Sequence, residues 1–406
     1  MGELLMWAGG LLVWLVVGGL FFLSLWIVLP APNFFWLQLA VGAPEVSPLL
    51  GLLGAIALVL CLCVSSVFGQ GRPPRLLLAL LLATMALSSL PLLQQPFAVS
   101  RANRSMAHAP PAVIANSPES TAALTSTKSF SWSVFFSAFF QEQNQPSIRH
   151  QAKIPFATPD GEPLYLDLYQ PAASGQYPAV VMIYGGGWRT GSSAENEAMG
   201  RFLAARGYVV VAIDYRHTPD YRFPAQLEDV KTARAQAEAY EILSDRMTLL
   251  GWSAGALLAM LAGFQDEIGG IKSIVNFYGP VDLARGYAEP PRPDPLDVRQ
   301  VLRDFLGDSP TALPERYVEA SPIIFVTSAK PQTLPPVLLV YGGRDHIVEA
   351  RFGRSLYEAL LRSQNIAVWV KIPWAEHAFD KIFNGVSNQL ALHFVERFLA
   401  QTLGSL

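Results

Sequence analysis

Between Glu3 and Glu45 the chain carries no charged residue, and Leu4 to Leu29 is almost wholly apolar. At 1.5 Å per residue, a helix over that run exceeds the roughly 30 Å of a bilayer's hydrocarbon core. Two more apolar runs, Leu49 to Phe68 and Leu76 to Leu93, flank the short turn Gly69-Gln70-Gly71-Arg72-Pro73-Pro74-Arg75. A cleaved signal peptide fits poorly: there is no basic leader, the first run is too long, and two further runs follow. Three transmembrane helices are therefore expected within residues 1–96. None of the runs contains an acidic or basic residue, which argues against a charged transport path. Arg72 and Arg75 follow the second run, and Arg101 and Arg104 follow the third, so the positive-inside count is a tie between the two sides. The preferred arrangement places Arg72 and Arg75 in the cytoplasm and the C-terminal domain outside.

Only 15% of the 406 residues are charged, and the formal net charge is −3. That balance speaks against disorder and gives no electrostatic reason to expect a nucleic-acid partner. The two cysteines, Cys61 and Cys63, lie in the second apolar run and make neither a disulfide framework nor a zinc cage. Residues 97–147 are rich in Ser, Ala, Pro and Asn and read as a linker. Its aromatic stretch at 130–140, from Phe130 to Phe140, is too short to span a membrane; it suits an interfacial helix, a flap, or packing against the following domain.

From residue 148 to 406, short β-rich runs alternate with helical ones, which predicts a mostly parallel α/β sheet with helices on both faces. Strands are expected at Leu164–Tyr169, Ala179–Tyr184, Tyr208–Ile213, Thr248–Gly251, Ile271–Phe277, Val337–Tyr341 and Val368–Ile372. Helices are expected at Glu195–Arg206, Gln226–Tyr240, Ala254–Gly263, Ala350–Ser363 and Val386–Leu403. Within this unit, residues 282–335 read as an irregular, Pro-rich insert.

The strongest chemical signal is Gly251-Trp252-Ser253-Ala254-Gly255, which follows a β run and precedes an Ala/Leu-rich helix. A serine hydroxyl becomes a useful nucleophile when a sharp turn exposes it to a base, and that turn demands small residues two positions to either side. Tyr184-Gly185-Gly186-Gly187-Trp188 supplies a second signal. Consecutive glycines let bare N–H groups approach a developing oxyanion, and Gly186, Gly187 and Ala254 are the candidate donors. A phosphate-binding loop would need Gly-Lys-Ser/Thr or G-x-G-x-x-G, and neither is present. Trp188 and Trp252 are candidate substrate contacts.

Elimination singles out the base. His108 and His150 lie in or beside the linker, His217 precedes the nucleophile strand, and His393 falls inside the terminal helix. His377 lies in a loop between the last strand and that helix, where it can reach the serine. Asp345 ends the strand Val337–Tyr341 and is the candidate orienting acid, with Glu349 or Asp308 as fallback; His346 reads as a loop residue.

The order Ser253…Asp345…His377, together with Tyr184–Trp188, Asp214-Tyr215-Arg216 and Phe223–Val230, resembles α/β-hydrolases of the hormone-sensitive-lipase/carboxylesterase type over nearly all of residues 150–406. Tyr184 stands where that family usually carries His, and Trp252 where it often has a small or acidic residue. The resemblance implies a serine esterase with no metal or organic cofactor, acting on a small-molecule or lipid-derived ester; residues 282–335 would cap its pocket. Arg292 and Arg303 in that insert read as surface residues before substrate contacts. Amide, formamide or peptide cleavage on the same triad, and a non-catalytic binding protein that keeps the fold, are the competing readings.

Overall fold

The computed structural model describes residues 2–67, 74–107, 129–140, 147–266 and 269–404. The turn around Arg72 and most of the expected linker, His108 included, lie outside them. Near the N-terminus are α1 (Gly2–Leu25), α2 (Phe34–Glu45), α3 (Ser47–Val67) and α4 (Arg75–Met106), followed by the short α5 (Trp132–Phe140).

An eight-stranded sheet organises the remainder. Its strands are β1 (Ile148–Ala157), β2 (Leu164–Pro171), β3 (Tyr177–Ile183), β4 (Val209–Ile213), β5 (Ile242–Trp252), β6 (Ile271–Phe277), β7 (Val337–Gly342) and β8 (Ala367–Ile372). They run in the order β1-β2-β4-β3-β5-β6-β7-β8, antiparallel at β1/β2 and β2/β4 and parallel from β4 onward. The central strands read as unbroken apolar runs because helices cover them: every residue of β4 and of β7 is buried. The helices among them are α6 (Glu197–Ala204), α7 (Ala225–Ala237), α8 (Ala254–Phe264), α9 (Leu283–Ala288), α10 (Val298–Leu306), α11 (Pro314–Glu319), α12 (Pro322–Ser328), α13 (Ala350–Arg362) and α14 (Val386–Leu403). From Ala254 to Gly263 α8 is buried on every side, which its Ala/Leu composition permits.

Sequence reading omitted β1. It is an edge strand paired on one side, with Gln151–Lys153 exposed and Pro155 within it, so it lacks the buried run that marks the others. The insert at 282–335 is more regular than expected, because four short helices, α9 to α12, occupy it.

The N-terminal part departs further from expectation. By length and composition, one described helix, α4, is long and apolar enough to cross a membrane. A second candidate exists only if α2 and the apolar part of α3, bent by 75° at their junction, count as one span. The three expected spans, Leu4–Leu29, Leu49–Phe68 and Leu76–Leu93, thus reduce to one or two candidates: the apolar part of α1, Gly10–Leu25, is too short to count, and α3 counts only together with α2, which packs back onto the α/β domain. Glu45 at its end is fully buried, and its Oε2 accepts a hydrogen bond from the Ser387 amide at 2.8 Å. Asn33 caps the other end, accepting from the Phe35 and Trp36 amides. Helices α3 and α4 approach closely through small residues: a Cβ on Gly54 would lie 3.3 Å from Thr84 and Met85.

The expected linker also starts later than residue 97. Helix α4 continues through Pro91 and Pro96 to Met106; Ala98, Ala102 and Met106 enter the main core, and Ser105 Oγ accepts from the Trp369 amide at 2.8 Å. Helix α5 is docked rather than free. Phe135 is buried, the Ser131 amide donates to Gln389 at 2.8 Å, and the Gln95 side chain donates to the Ser129 carbonyl at 3.0 Å. Among the described residues, none from 129 to 137 lines the cleft at Ser253, so packing rather than a flap describes this segment.

Candidate active site

Strand β5 ends at Trp252, α8 begins at Ala254, and Ser253 stands between them with φ 50° and ψ −116°. This backbone is strained for a residue with a side chain, and it lifts the hydroxyl out of the sheet. The flanking glycines are obligatory on steric grounds. A Cβ on Gly251 would meet Gly255 O at 2.4 Å, and one on Gly255 would meet Ile183 O at 2.1 Å. The Ser253 amide donates to Phe277 O at 2.9 Å, which ties the turn to β6.

Ser253 Oγ lies 3.0 Å from His377 Nε2, and His377 Nδ1 lies 2.8 Å from Asp345 Oδ2. The other oxygen of Asp345 accepts from the Ile347 and Val348 amides at 2.8 and 2.7 Å, so the carboxylate is fixed before it meets the imidazole. The fallback acids are occupied elsewhere: Glu349 pairs with Arg351, and Asp308 accepts from the Ser309 amide. Burial disfavours a charged His377 imidazole. The Asp345 carboxylate, by charge and hydrogen bond, outweighs that effect with help from Glu376 and Asp380, and the pKa is raised above the ordinary imidazole value.

The glycine loop after β3 packs against this turn, where a Cβ on Gly185 would lie 3.2 Å from Ser253 Cβ. Gly186 has φ 122°, and a Cβ there would strike Thr190 O at 2.1 Å. The loop is held at its root by Tyr184, whose hydroxyl lies 2.7 Å from His217 Nε2 and whose ring stacks on Tyr215 at 4.4 Å. His217, set aside as a base, thus braces the loop, and burial lowers its pKa. Asp214 accepts from the Ser193 amide at 2.7 Å, and Arg216 pairs with Asp229 at 2.8 Å, so both are structural ties. Arg303 donates to the Tyr287 hydroxyl and to Gln300.

Sequence reasoning missed two supports of His377. Glu376, buried, accepts from the amides of His346 and His377 at 2.7 and 3.0 Å and from the His346 ring at 2.5 Å. Tyr278, whose ring centroid lies 4.5 Å from that of His377, donates its hydroxyl to buried Asp380. Burial raises the pKa of both Tyr278 and Asp380.

Two clefts meet at Ser253 and Gly187. One runs under the insert and is lined by Trp188, Ala254, Val281, Leu283, Val298 and Phe352. The other is lined by His377, Gly186, Trp252 and three residues of α2, namely Phe34, Leu37 and Val41. Trp188 stacks on Phe305 at 3.9 Å and Trp252 on Phe277 at 5.6 Å, so each presents a fixed wall. Among the described residues, no group of three or more His, Cys, Asp or Glu could hold a metal ion.

This sheet order, with a nucleophile turn between a central strand and its following helix and a histidine beyond the last strand, is the α/β-hydrolase fold. A family model described as BD-FAE matches residues 166–360. The chain is 30% identical over 246 residues to the probable carboxylic ester hydrolase LipM of Mycobacterium tuberculosis, covering 56% of this chain and 55% of LipM. It is 32% identical over 242 residues to esterase LipC of the same organism, covering 55% of this chain and 58% of LipC. The match thus spans little more than half the length of these relatives. Among solved structures, a Pyrobaculum calidifontis esterase superposes with a TM-score of 0.54 at 25% identity, covering 64% of this chain and 87% of that one. The thermostable carboxylesterase EstE1, from a metagenomic library, shares the fold at TM-score 0.54 and 24% identity, over 67% of this chain and 94% of its own.

Proposed function

We propose that this chain is a membrane-anchored serine hydrolase that cleaves carboxylic esters through an acyl-enzyme. The observation that carries the reading is the continuous hydrogen-bonded path Ser253–His377–Asp345 at 3.0 and 2.8 Å. His377 Nε2 takes the Ser253 proton as Oγ attacks the ester carbon, while the amides of Gly186, Gly187 and Ala254 face the oxygen that becomes negative. The tetrahedral intermediate then collapses; the C–O bond to the alcohol breaks, and His377 gives its proton to the departing oxygen. A water molecule repeats the sequence on the acyl-Ser253 ester and releases the acid. Asp345 holds the imidazole tautomer and supports the imidazolium that forms between the two proton transfers. The acid–base step is worth on the order of 10²–10⁴-fold, and an oxyanion donor about 10²–10³-fold. That LipM is named a probable carboxylic ester hydrolase and LipC an esterase favours esters over amides. The test is hydrolysis of short acyl p-nitrophenyl esters together with fluorophosphonate labelling of the solubilised full chain. Equal rates for the wild type and Ser253→Ala, or no adduct at Ser253, sink the reading.

The anchoring rests on the outer surface of the N-terminal helices. Leu15, Leu60, Leu82 and Leu93 are 64, 58, 56 and 63% exposed, apolar surface that water does not favour. With α4 across the bilayer and Arg75 at its cytoplasmic end, the catalytic domain is extracytoplasmic. Release of the protein by alkaline carbonate would remove the anchor, and protease protection in oriented vesicles tests the side.

A further inference from the structure

The two clefts at Ser253 are chemically unequal, and the difference lies in His377. In the ester reaction proposed above, His377 must protonate the leaving oxygen, so the alcohol half of the substrate has to lie on the side that the imidazole faces. His377 lines the cleft beside α2 and is absent from the lining of the cleft under the insert. The acyl half therefore goes under the insert, and the alcohol half goes against α2.

The wall it meets there is apolar: Phe34, Leu37 and Val41 recur at helical spacing on one face of α2. The chain is held just after this face at Glu45 and, six residues before it, at Val28. Glu45 is buried against the Ser387 amide, and the Arg344 guanidinium, next to Asp345 in the chain, donates to the Val28 carbonyl. The outer end of the face is open, with Phe34 57% and Phe35 73% exposed. The same cleft also carries polar groups, Thr190 and the exposed Glu195–Lys381 ion pair. Helix α2 also lies well outside residues 166–360, the part matched by the family model.

We infer that α2 is the alcohol-specificity element of this enzyme, and that its substrates are esters of an amphiphilic, lipid-type alcohol whose alkyl part lies along Phe34, Leu37 and Val41 while its polar part faces Thr190 and Lys381. The inference rests on the hydrolase reading, but it adds which half of the ester is recognised and by what. It also gives the N-terminal region a role in selection as well as attachment.

Two substrate series separate the halves: acetate esters of alcohols from ethanol to decanol, and p-nitrophenyl esters of acyl chains from two to ten carbons, both on the detergent-solubilised full chain. For the wild type, kcat/KM rises along the alcohol series. In Phe34→Ser/Val41→Ser, decyl acetate loses about tenfold relative to ethyl acetate, while the dependence on acyl length, read as the ratio of kcat/KM for the ten-carbon to the two-carbon p-nitrophenyl ester, stays within about twofold of the wild-type ratio. Val298→Ser, in the other cleft, alters the acyl series and leaves the alcohol series standing. A wild-type alcohol series that is flat overturns the inference without any variant, so misfolding of the double variant cannot shelter it. Loss on the acyl series rather than the alcohol series in Phe34→Ser/Val41→Ser overturns it as well. If the wild type cleaves nothing in either series and Ser253 takes no fluorophosphonate, the hydrolase reading itself has failed, and the inference with it.

Discussion

The α/β domain and the N-terminal helices hide apolar residues by opposite means. Leu249 in β5 and Leu339 in β7 are fully buried by their own chain, whereas Leu82 in α4 and Leu60 in α3 face outward from helices no less apolar. The first region covers its apolar residues with its own chain; the second leaves large apolar side chains on its surface. Helix α2 belongs to both. Its Leu37 and Ala40 are buried with Trp26 and Ile27, its Glu45 reaches the α/β domain, and Phe34 and Phe35 remain outside. Hydrophobicity by itself therefore does not say where a segment lies. The partner of each face does.

The sharpest way to separate the regions is to disable one chemically. Ser253→Ala is expected to lower kcat by about 10⁴-fold or more while leaving the melting curve unchanged, as read by ester hydrolysis and tryptophan fluorescence. Asp345→Asn should cost about 10³–10⁴-fold at neutral pH. In the wild type the carboxylate raises the His377 pKa, and the base works only when neutral, so kcat/KM climbs with pH through a midpoint above the usual imidazole value near ~6.5. Losing the anion moves that limb to lower pH. The linked stability runs the other way. A raised imidazole pKa stabilises the fold fully below the unfolded value, and that contribution disappears as pH rises through the folded one. Gly186→Ala forces a Cβ onto Thr190 O and should cost about 10²–10³-fold in kcat, with labelling of Ser253 slowed in parallel.

At the junction, Glu45→Ala leaves the buried Ser387 amide without its acceptor and should lower Tm, at about 2–4 °C per kcal/mol lost; Glu45→Gln, which keeps an acceptor oxygen, should do less. The smallest effect on turnover is expected from Leu82→Asp. Activity per folded molecule on a soluble ester stays within about twofold, while the membrane-bound yield falls, since an acid at a helix centre costs about 2.5–3.5 kcal/mol on insertion. An unchanged yield would put that face of α4 in contact with protein or water, and the contrast between the two regions would vanish.

Much of the α/β domain was legible from the chain because its signals are local. Ile271–Phe277 and Val386–Leu403 were delimited at both ends, and the G-x-S-x-G turn announced itself by the small residues that its own backbone contacts demand. Pairing Ser253 with His377 and Asp345 was legible too, because strand order along the chain constrains which loops share an edge. Less legible were the N-terminal boundaries. Nothing local to Phe97–Met106 says that this end of α4 will pack on β8, or that a chain so apolar will bend by 75° at Val46.

What the sequence determined by itself was the set of groups able to do the chemistry and the approximate frame that holds them, since backbone sterics and hydrophobic periodicity are properties of neighbouring residues. What only the tertiary structure decided was which surfaces meet. Glu376 and Tyr278 close around His377, His217 braces Tyr184, and Phe34, Leu37 and Val41 arrive at a serine more than two hundred residues away. Such contacts depend on the packing of distant faces, and no local pattern along the chain records them.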